Sequence, residues 1–232
     1  PADLAAIISQ VSHKEGATFF KDLDVETAAE ALSELEPDTQ AAILTGMDTE
    51  KAADIIEEMP PDEAADVLSD ISPKKAQEIL ESLEKEDAED IQELLGHEED
   101  TAGGLMTNAF IAYRPETTVA EAVEKFKKDA EEVETIYYIY ITDSEEKLKG
   151  VVSLRELLLS SPEVKLSDIM ETKLKTVIPG TDEMEVAGII SKYNLVAIPV
   201  VDNEGFMLGI VDIDDVIDTI LPPEAKRKRR RV

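Results

Sequence analysis

The chain contains no cysteine and no tryptophan, has only two histidines, and is poor in aromatic residues generally. Without cysteine there is no disulfide framework and no thiolate metal site, which fits a reducing compartment. His13 and His97 lie far apart in sequence, so each reads as an ordinary surface or core residue rather than as half of a ligand pair. No apolar run approaches the roughly 18–20 residues needed to cross a bilayer, and the segment is expected to be soluble. The motifs G-x-x-x-x-G-K-[ST], H-E-x-x-H and G-x-S-x-G are absent, and no other pattern marks a catalytic centre, so the chain is read as not an enzyme. Positive charge is also scarce: 23 Lys and Arg stand against 53 Asp and Glu, for a net charge of −30.

That charge is spread over the whole body. Residues 1–95 hold 26 acidic and 6 basic side chains, and residues 96–225 hold 27 and 11; only the last seven residues, Lys226–Val232, are basic. Such a body repels nucleic acid and anionic lipid and attracts cations, so nucleic acid is excluded as a partner. At 43% hydrophobic residues, 232 residues suffice for more than one folded core.

The first 95 residues repeat every twelve. Blocks end at Val11, Leu23, Leu35, Met47, Met59, Ile71, Leu83 and Leu95; DTEKAADIIEEM, PPDEAADVLSDI and SPKKAQEILESL are three in succession. Apolar or small residues recur at block positions 5, 8, 9 and 12, one face of an α-helix. Pro37, Pro61 and Pro73 stand at position 2, suited to the first turn of a helix, and Asp48 and Ser72 at position 1 are good N-caps. Each block therefore predicts one helix of about 9–10 residues, marginal alone, that must stack into a superhelix of helix pairs. Positions 3 and 7 share a face away from the apolar stripe and carry Glu26/Glu30, Glu50/Asp54, Asp62/Asp66 and Glu86/Asp90. Like charges at this spacing cost about 0.2–0.5 kcal/mol per pair. Two readings stay open: a solvated acidic face, or carboxylates for hard divalent cations, which favour oxygen ligands.

After Gly96 the pattern changes to two copies of a β-α-β-β-α unit. In the first, strands are predicted in ETIYYIYITD (134–143) and KGVVSL (149–154), after a helix between Thr118 and Lys128. In the second, the helix is Met184–Tyr193 and the strands are Ala197–Val201 and Leu208–Asp212, around the turn at Asp202–Gly205. LMT at 105–107 returns as IME at 169–171, the Pro-x-Thr entry at Pro115 returns at Pro179, and Gly150-Val-Val-Ser returns as Gly209-Ile-Val-Asp.

These features resemble a tandem pair of cystathionine-β-synthase (CBS) domains. Together with the helical repeat, the junction EEDTAGGLMT (98–107), the string ETIYYIYITD and the ending GIVDIDDVIDTI (209–220), the whole order is similar to the cytosolic region of MgtE-type magnesium channels. The fold class expected is multidomain α and α/β: an all-α superhelical repeat followed by a tandem CBS pair. Its segments are an acidic helical-repeat domain at 1–97, the first CBS domain at 98–161, the second at 162–221, and a basic tail at 222–232.

The resemblance implies a Mg²⁺-sensing gate on the cytoplasmic face of the cell membrane. Mg²⁺ would bridge the helical domain to the CBS pair and favour the closed state. The implied partners are a second copy through the CBS domains and the transmembrane pore domain of the same parent protein. Residue by residue, the match places metal ligands at Asp214, Asp215 and Asp218, of which the last two share a helical face; Asp near a helix start equally complements the helix dipole. Asn194 stands where the family often has Asp. Asp62 and Asp66 match best in the helical domain, with Glu30 next, and the carbonyl of Gly104 is a further candidate. CBS pairs also bind adenosine nucleotides such as ATP. Here Tyr138, Ser153, Arg155 and Glu156 of the first copy match that element, whereas Asp212 in the second copy stands in place of Ser or Thr and would repel a phosphate. The alternative reading is a soluble CBS-pair protein that binds adenosine nucleotide and regulates a partner. Leu221-Pro222-Pro223 is expected to stop the last helix, leaving Glu224–Val232 either as a disordered end or as a membrane-surface contact.

Overall fold

The computed structural model describes residues 19–221 apart from residues 21, 131–132 and 134–135, and apart from the side chain of Asp218. The basic tail at 222–232 lies outside the described residues. The chain divides into two compact units, one containing the repeat up to Gly96 and one from His97 to Ile220.

Among the described residues of the first unit six helices start at intervals of twelve residues: α1 Val25–Ser33, α2 Pro37–Thr45, α3 Thr49–Glu57, α4 Pro61–Ser69, α5 Pro73–Leu80 and α6 Lys85–Leu94. Block position 1 is the N-cap in each case. Asp24, Asp48 and Ser72 accept hydrogen bonds there from the amides of Thr27, Glu50 and Lys75. Pro37, Pro61 and Pro73 open their helices, where a missing N–H costs nothing. The predicted apolar face is buried: Ala28, Ala31, Leu32, Ile43, Leu44, Ala52, Ile55, Ile56, Ala64, Val67 and Leu68 are all 2% exposed or less. Position 6 is buried as well in three of the blocks, by Ala29, Ala53 and Ala65.

Helices two blocks apart pack against each other, α1 on α3 on α5 and α2 on α4 on α6. Lysine locks one of these columns. The ammonium groups of Lys51 and Lys75, both at position 4, donate to the carbonyls of Leu23 (3.0 Å) and Met47 (3.2 Å), each 28 residues back. In the other column position 4 is Glu63, buried, which accepts from the Ser33 hydroxyl.

The second unit is a duplicated sheet. In its first copy β1 (Ala112–Tyr113) pairs parallel with β2 (Tyr138–Thr142), which pairs antiparallel with β3 (Leu148–Ser153); α8 (Val119–Asp129) and α9 (Leu154–Leu159) accompany them. The second has α11 (Glu183–Tyr193), the antiparallel pair β4 (Ala197–Val201) and β5 (Met207–Asp212), and α12 (Ile213–Ile220). Short helices α7 (Ala102–Leu105) and α10 (Leu166–Ile169) precede the copies. β2 starts at Tyr138, later than the run from 134 predicted; residues 134–135 lie outside the described residues.

The duplication extends to single hydrogen bonds. The amides of Ala102 and Gly103 donate to the carbonyls of Thr181 and Pro179, and those of Leu166 and Ser167 donate to Thr117 and Pro115. Thr107 bridges to Ile210 of β5, and its counterpart Glu171 bridges to Val151 of β3. Each copy's leading segment is thus bound to the other copy's sheet. Glycine marks both crossings. A Cβ at Gly209 would fall 2.6 Å from the Thr107 carbonyl oxygen, and one at Gly150 would fall 2.7 Å from Met170 Sδ. The hairpin tips also meet, with Lys147 Nζ 4.8 Å from the centre of the Phe206 ring.

Candidate cation site

Strand alternation sorts the side chains of β2. Ile139 and Ile141 join Val152, Val119, Ala122 and Leu157 in the core beneath the helices of the first copy. Tyr138 and Tyr140 point to the opposite face, with ring centres 6.5 Å apart. Across the duplication, Ser153 at the end of β3 pairs with Tyr138, and its counterpart Asp212 at the end of β5 pairs with Ala197.

The two equivalent ends are built differently. In the first copy Ser153 caps α9 in a closed capping box: its hydroxyl receives the Glu156 amide at 3.1 Å and donates to Glu156 Oε2 at 2.8 Å. Arg155 is exposed beside it. Ser153, Arg155 and Glu156 are therefore adjacent, with Tyr138 on the neighbouring strand, but the serine and glutamate already serve the helix terminus.

In the second copy the same three positions are Asp212, Asp214 and Asp215, and each offers a carboxylate oxygen within 4.8 Å of the others. Asp212 is 4% exposed, and one oxygen of the partly buried Asp214 is fully buried without a hydrogen-bond partner. Three like charges this close repel by about 3 kcal/mol per pair at an effective dielectric of about 20. The beginning of α12 relieves part of that repulsion. The hydroxyl of Tyr140, a residue 1% exposed, is also buried without a hydrogen-bond partner. Burial first, then the charge of Asp212, hold its phenol far above the usual range. An all-oxygen donor set with orphaned buried oxygens fits a hard divalent cation. Asp212 entered the sequence reading only as an obstacle to phosphate. The signal that places it in the cluster is the spacing D-x-D-D across a strand end and the helix start after it.

The remaining candidates are dispersed. Asp218 follows on α12, and its side chain lies outside the described residues. Asn194 is exposed and sits in the left-handed region (φ 52°) as the C-cap of α11, a backbone role that asparagine tolerates well. Gly104 lies in α7, where a Cβ would fall 2.6 Å from the Glu99 carbonyl oxygen. Glu30 on α1 and Asp62 on α4 are half-buried, and Asp66 on α4 is exposed. On α6, Asp90 is held above the usual carboxylate range, first by partial burial and then by the charges of Glu86, Asp87, Glu93 and Glu89.

Comparison with known proteins gives a consistent picture. Residues 1–100 match the model of the MgtE intracellular N domain, and residues 102–163 and 166–222 match the CBS domain. The chain is 43% identical over 129 residues to the magnesium transporter MgtE of Thermus thermophilus, covering 56% of this chain and 29% of that protein. It is 39% identical over 130 residues to the magnesium transporter MgtE of Bacillus subtilis, with the same coverage. The chain thus spans about three tenths of the length of these relatives. Among solved structures it is similar to the cytosolic domain of the Mg²⁺ channel MgtE in complex with ATP, at 36% identity and TM-score 0.88, over 94% of this chain and 89% of that one. It is also similar to the soluble part of a magnesium transporter, at 33% identity and TM-score 0.86, over 93% and 85%. Among the described residues no helix is long and apolar enough to cross a membrane.

Proposed function

Because this chain belongs to the MgtE family, as an intracellular N domain followed by a CBS pair, we propose that it is the Mg²⁺-sensing gate of a membrane transporter, standing on the cytoplasmic face of the cell membrane. Its partners are the transmembrane pore domain of the parent protein and a second copy bound through the CBS domains. Mg²⁺ bridges the helical domain to the CBS pair and favours the closed state. As Mg²⁺ falls, the two acidic bodies repel and that state is lost. The ligands are drawn from Asp214, Asp215, Asp218, Asn194 and the Gly104 carbonyl on one side, and from Glu30, Asp62 and Asp66 on the other.

The observation that carries this reading is the concentration of carboxylate on both units: the outer stripe of the repeat, and the three-aspartate cluster at the start of α12. Two such bodies approach closely only with counter-ions between them, even with a Debye length of about 8 Å. A cation bound preferentially in one arrangement shifts the population toward it, and steeply when several ions are bound together. Small-angle scattering tests this directly. Millimolar Mg²⁺ is expected to reduce the radius of gyration of the wild type, and to reduce it less in Asp215→Asn/Asp218→Asn. A wild-type radius that ignores Mg²⁺ would end the bridging model.

A second ligand is supported at the first copy, where Tyr138, Ser153, Arg155 and Glu156 are adjacent and the similar solved structure is a complex with ATP. ATP is expected to bind there, and Arg155→Ala to weaken it in calorimetric titration; equal affinity in the variant would remove Arg155 from the site.

A further inference from the structure

We propose that the second CBS copy carries a phosphate-binding site of its own, formed by the ammonium groups of Lys175 and Lys192 and the hydroxyl of Tyr193. It shares no residue with the proposed cation bridge or with the nucleotide turn of the first copy, and it depends on neither.

Three observations meet there. The first is where two of the scarce lysines go. Lys175 Nζ lies 4.6 Å and Lys192 Nζ 5.2 Å from the centre of one ring, that of Tyr193, which is 43% exposed. One ammonium over an exposed ring is an ordinary favourable contact, but a second brings like charge to the same place. Acidic side chains outnumber basic ones by 53 to 23, yet among the described residues neither lysine forms an ion pair. The second is that the lysines arrive from separate segments. Lys192 stands in the last turn of α11, where the carbonyl end of a helix favours a cation. Lys175 lies outside any helix, on the stretch between the bridges of Glu171 to Val151 and of Val177 to Val200. The third is the comparison inside the chain. Where α11 ends at Tyr193, α8 ends at Asp129. Asp129 Oδ2 accepts the Tyr113 hydroxyl at 2.9 Å, so the lysine over that ring, Lys125 at 5.7 Å, has a carboxylate beside it. At the place of Lys175, counted from the match of Pro115 to Pro179, the first copy has the buried Ile111. The fold therefore does not require a pair of lysines at this helix end.

The ligand class follows from the charge. Two ammonium groups match one dianion, and ammonium and hydroxyl donors suit its oxygens. A phosphate group carries about two negative charges near neutral pH, whereas a single carboxylate leaves one lysine uncompensated. Repulsion from the acidic body is screened over about 8 Å, so a patch with its own positive charge takes the anion locally. The phosphate arrives either free or as the tail of a nucleotide.

Inorganic phosphate is the probe, titrated into the full chain at constant ionic strength and followed by its ³¹P line width. No divalent cation is present, so the outcome is separate from that of the bridge. The wild type is expected to bind phosphate, and Lys175→Gln/Lys192→Gln to bind it about tenfold more weakly. Lys173→Gln removes a neighbouring exposed lysine that lies over no ring among the described residues, and is expected to bind as the wild type does. No binding by the wild type, or equal affinity in the double variant, would overturn the site. Equal weakening by Lys173→Gln would overturn it too, by reducing the effect to general charge. ATP titrated into the same proteins separates the sources. Weaker ATP binding by the double variant assigns the site to the tail of a nucleotide, and unchanged ATP binding assigns it to free phosphate. Lys175 is exposed and outside any helix, so Lys175→Gln alone serves if the double variant does not fold.

Discussion

At the residue scale, one position in two equivalent turns carries an electrostatic difference that can be measured. Asp143 and Asp202 hold equivalent hairpin tips, each Oδ1 accepting the amides two and four residues on. Their tips each contain a left-handed residue, Glu146 (φ 63°) in the first copy and Gly205 (φ 89°) in the second. Only the first tip has a lysine in place: Lys149 Nζ lies 2.7 Å from Asp143 Oδ2, and the second copy has Leu208 there. Lys149 first, then the amides of Lys147 and Glu145, hold the Asp143 carboxyl down to about 2 from its ordinary 3.8. A depressed carboxylate contributes stability that is full above the ordinary value and is lost as pH falls toward 2. Lys149→Met is expected to raise the Asp143 midpoint toward 3.8 while leaving it below, since both amide bonds remain. Carboxyl ¹³C shifts followed through an acid titration measure this. The turn at Asp202–Gly205 was legible from its residues, but the ion pair was not, because it depends on which strand residue faces the turn.

At the element scale, helix boundaries were legible and helix partners were not. A twelve-residue period with proline at position 2 and a cap at position 1 determines where each helix starts, because those residues act through their own backbone. Periodicity implied helix pairs. The packing of helices two blocks apart, and the reach of Lys51 and Lys75 across 28 residues, follow from how neighbouring buried faces fit together, which no single block encodes. The exchanged leading segments of the CBS copies are a similar case. LMT and IME matched in sequence, but each belongs to the other copy's sheet. Gly209→Ala is expected to destabilise this unit by about 1–3 kcal/mol, since its Cβ meets backbone at Thr107. Gly150→Ala is expected to cost less, because its nearest obstacle is the flexible Met170 side chain. Thermal unfolding of the two variants ranks them, and an equal loss would contradict the asymmetry.

At the scale of the whole molecule, the dominant quantity is a net charge of −30. Screening and specific binding predict different salt responses. If Mg²⁺ occupies defined carboxylate sites, the midpoint of thermal unfolding should rise more in millimolar MgCl₂ than in NaCl of the same ionic strength. Identical shifts would mean that the charge is only screened. What the sequence determined by itself was the two-part architecture, the helix registers, the duplication and the acidity, all carried by local spacing and composition. Tertiary structure decided which acids share a site. Asp215 and Asp218 share a helical face by periodicity, and the side chain of Asp218 lies outside the described residues; among the described residues the structure gathers Asp212, Asp214 and Asp215, because a strand end and a helix start converge there. Ligation depends on distances between side chains from separate elements, and those distances exist only once those elements have folded onto each other.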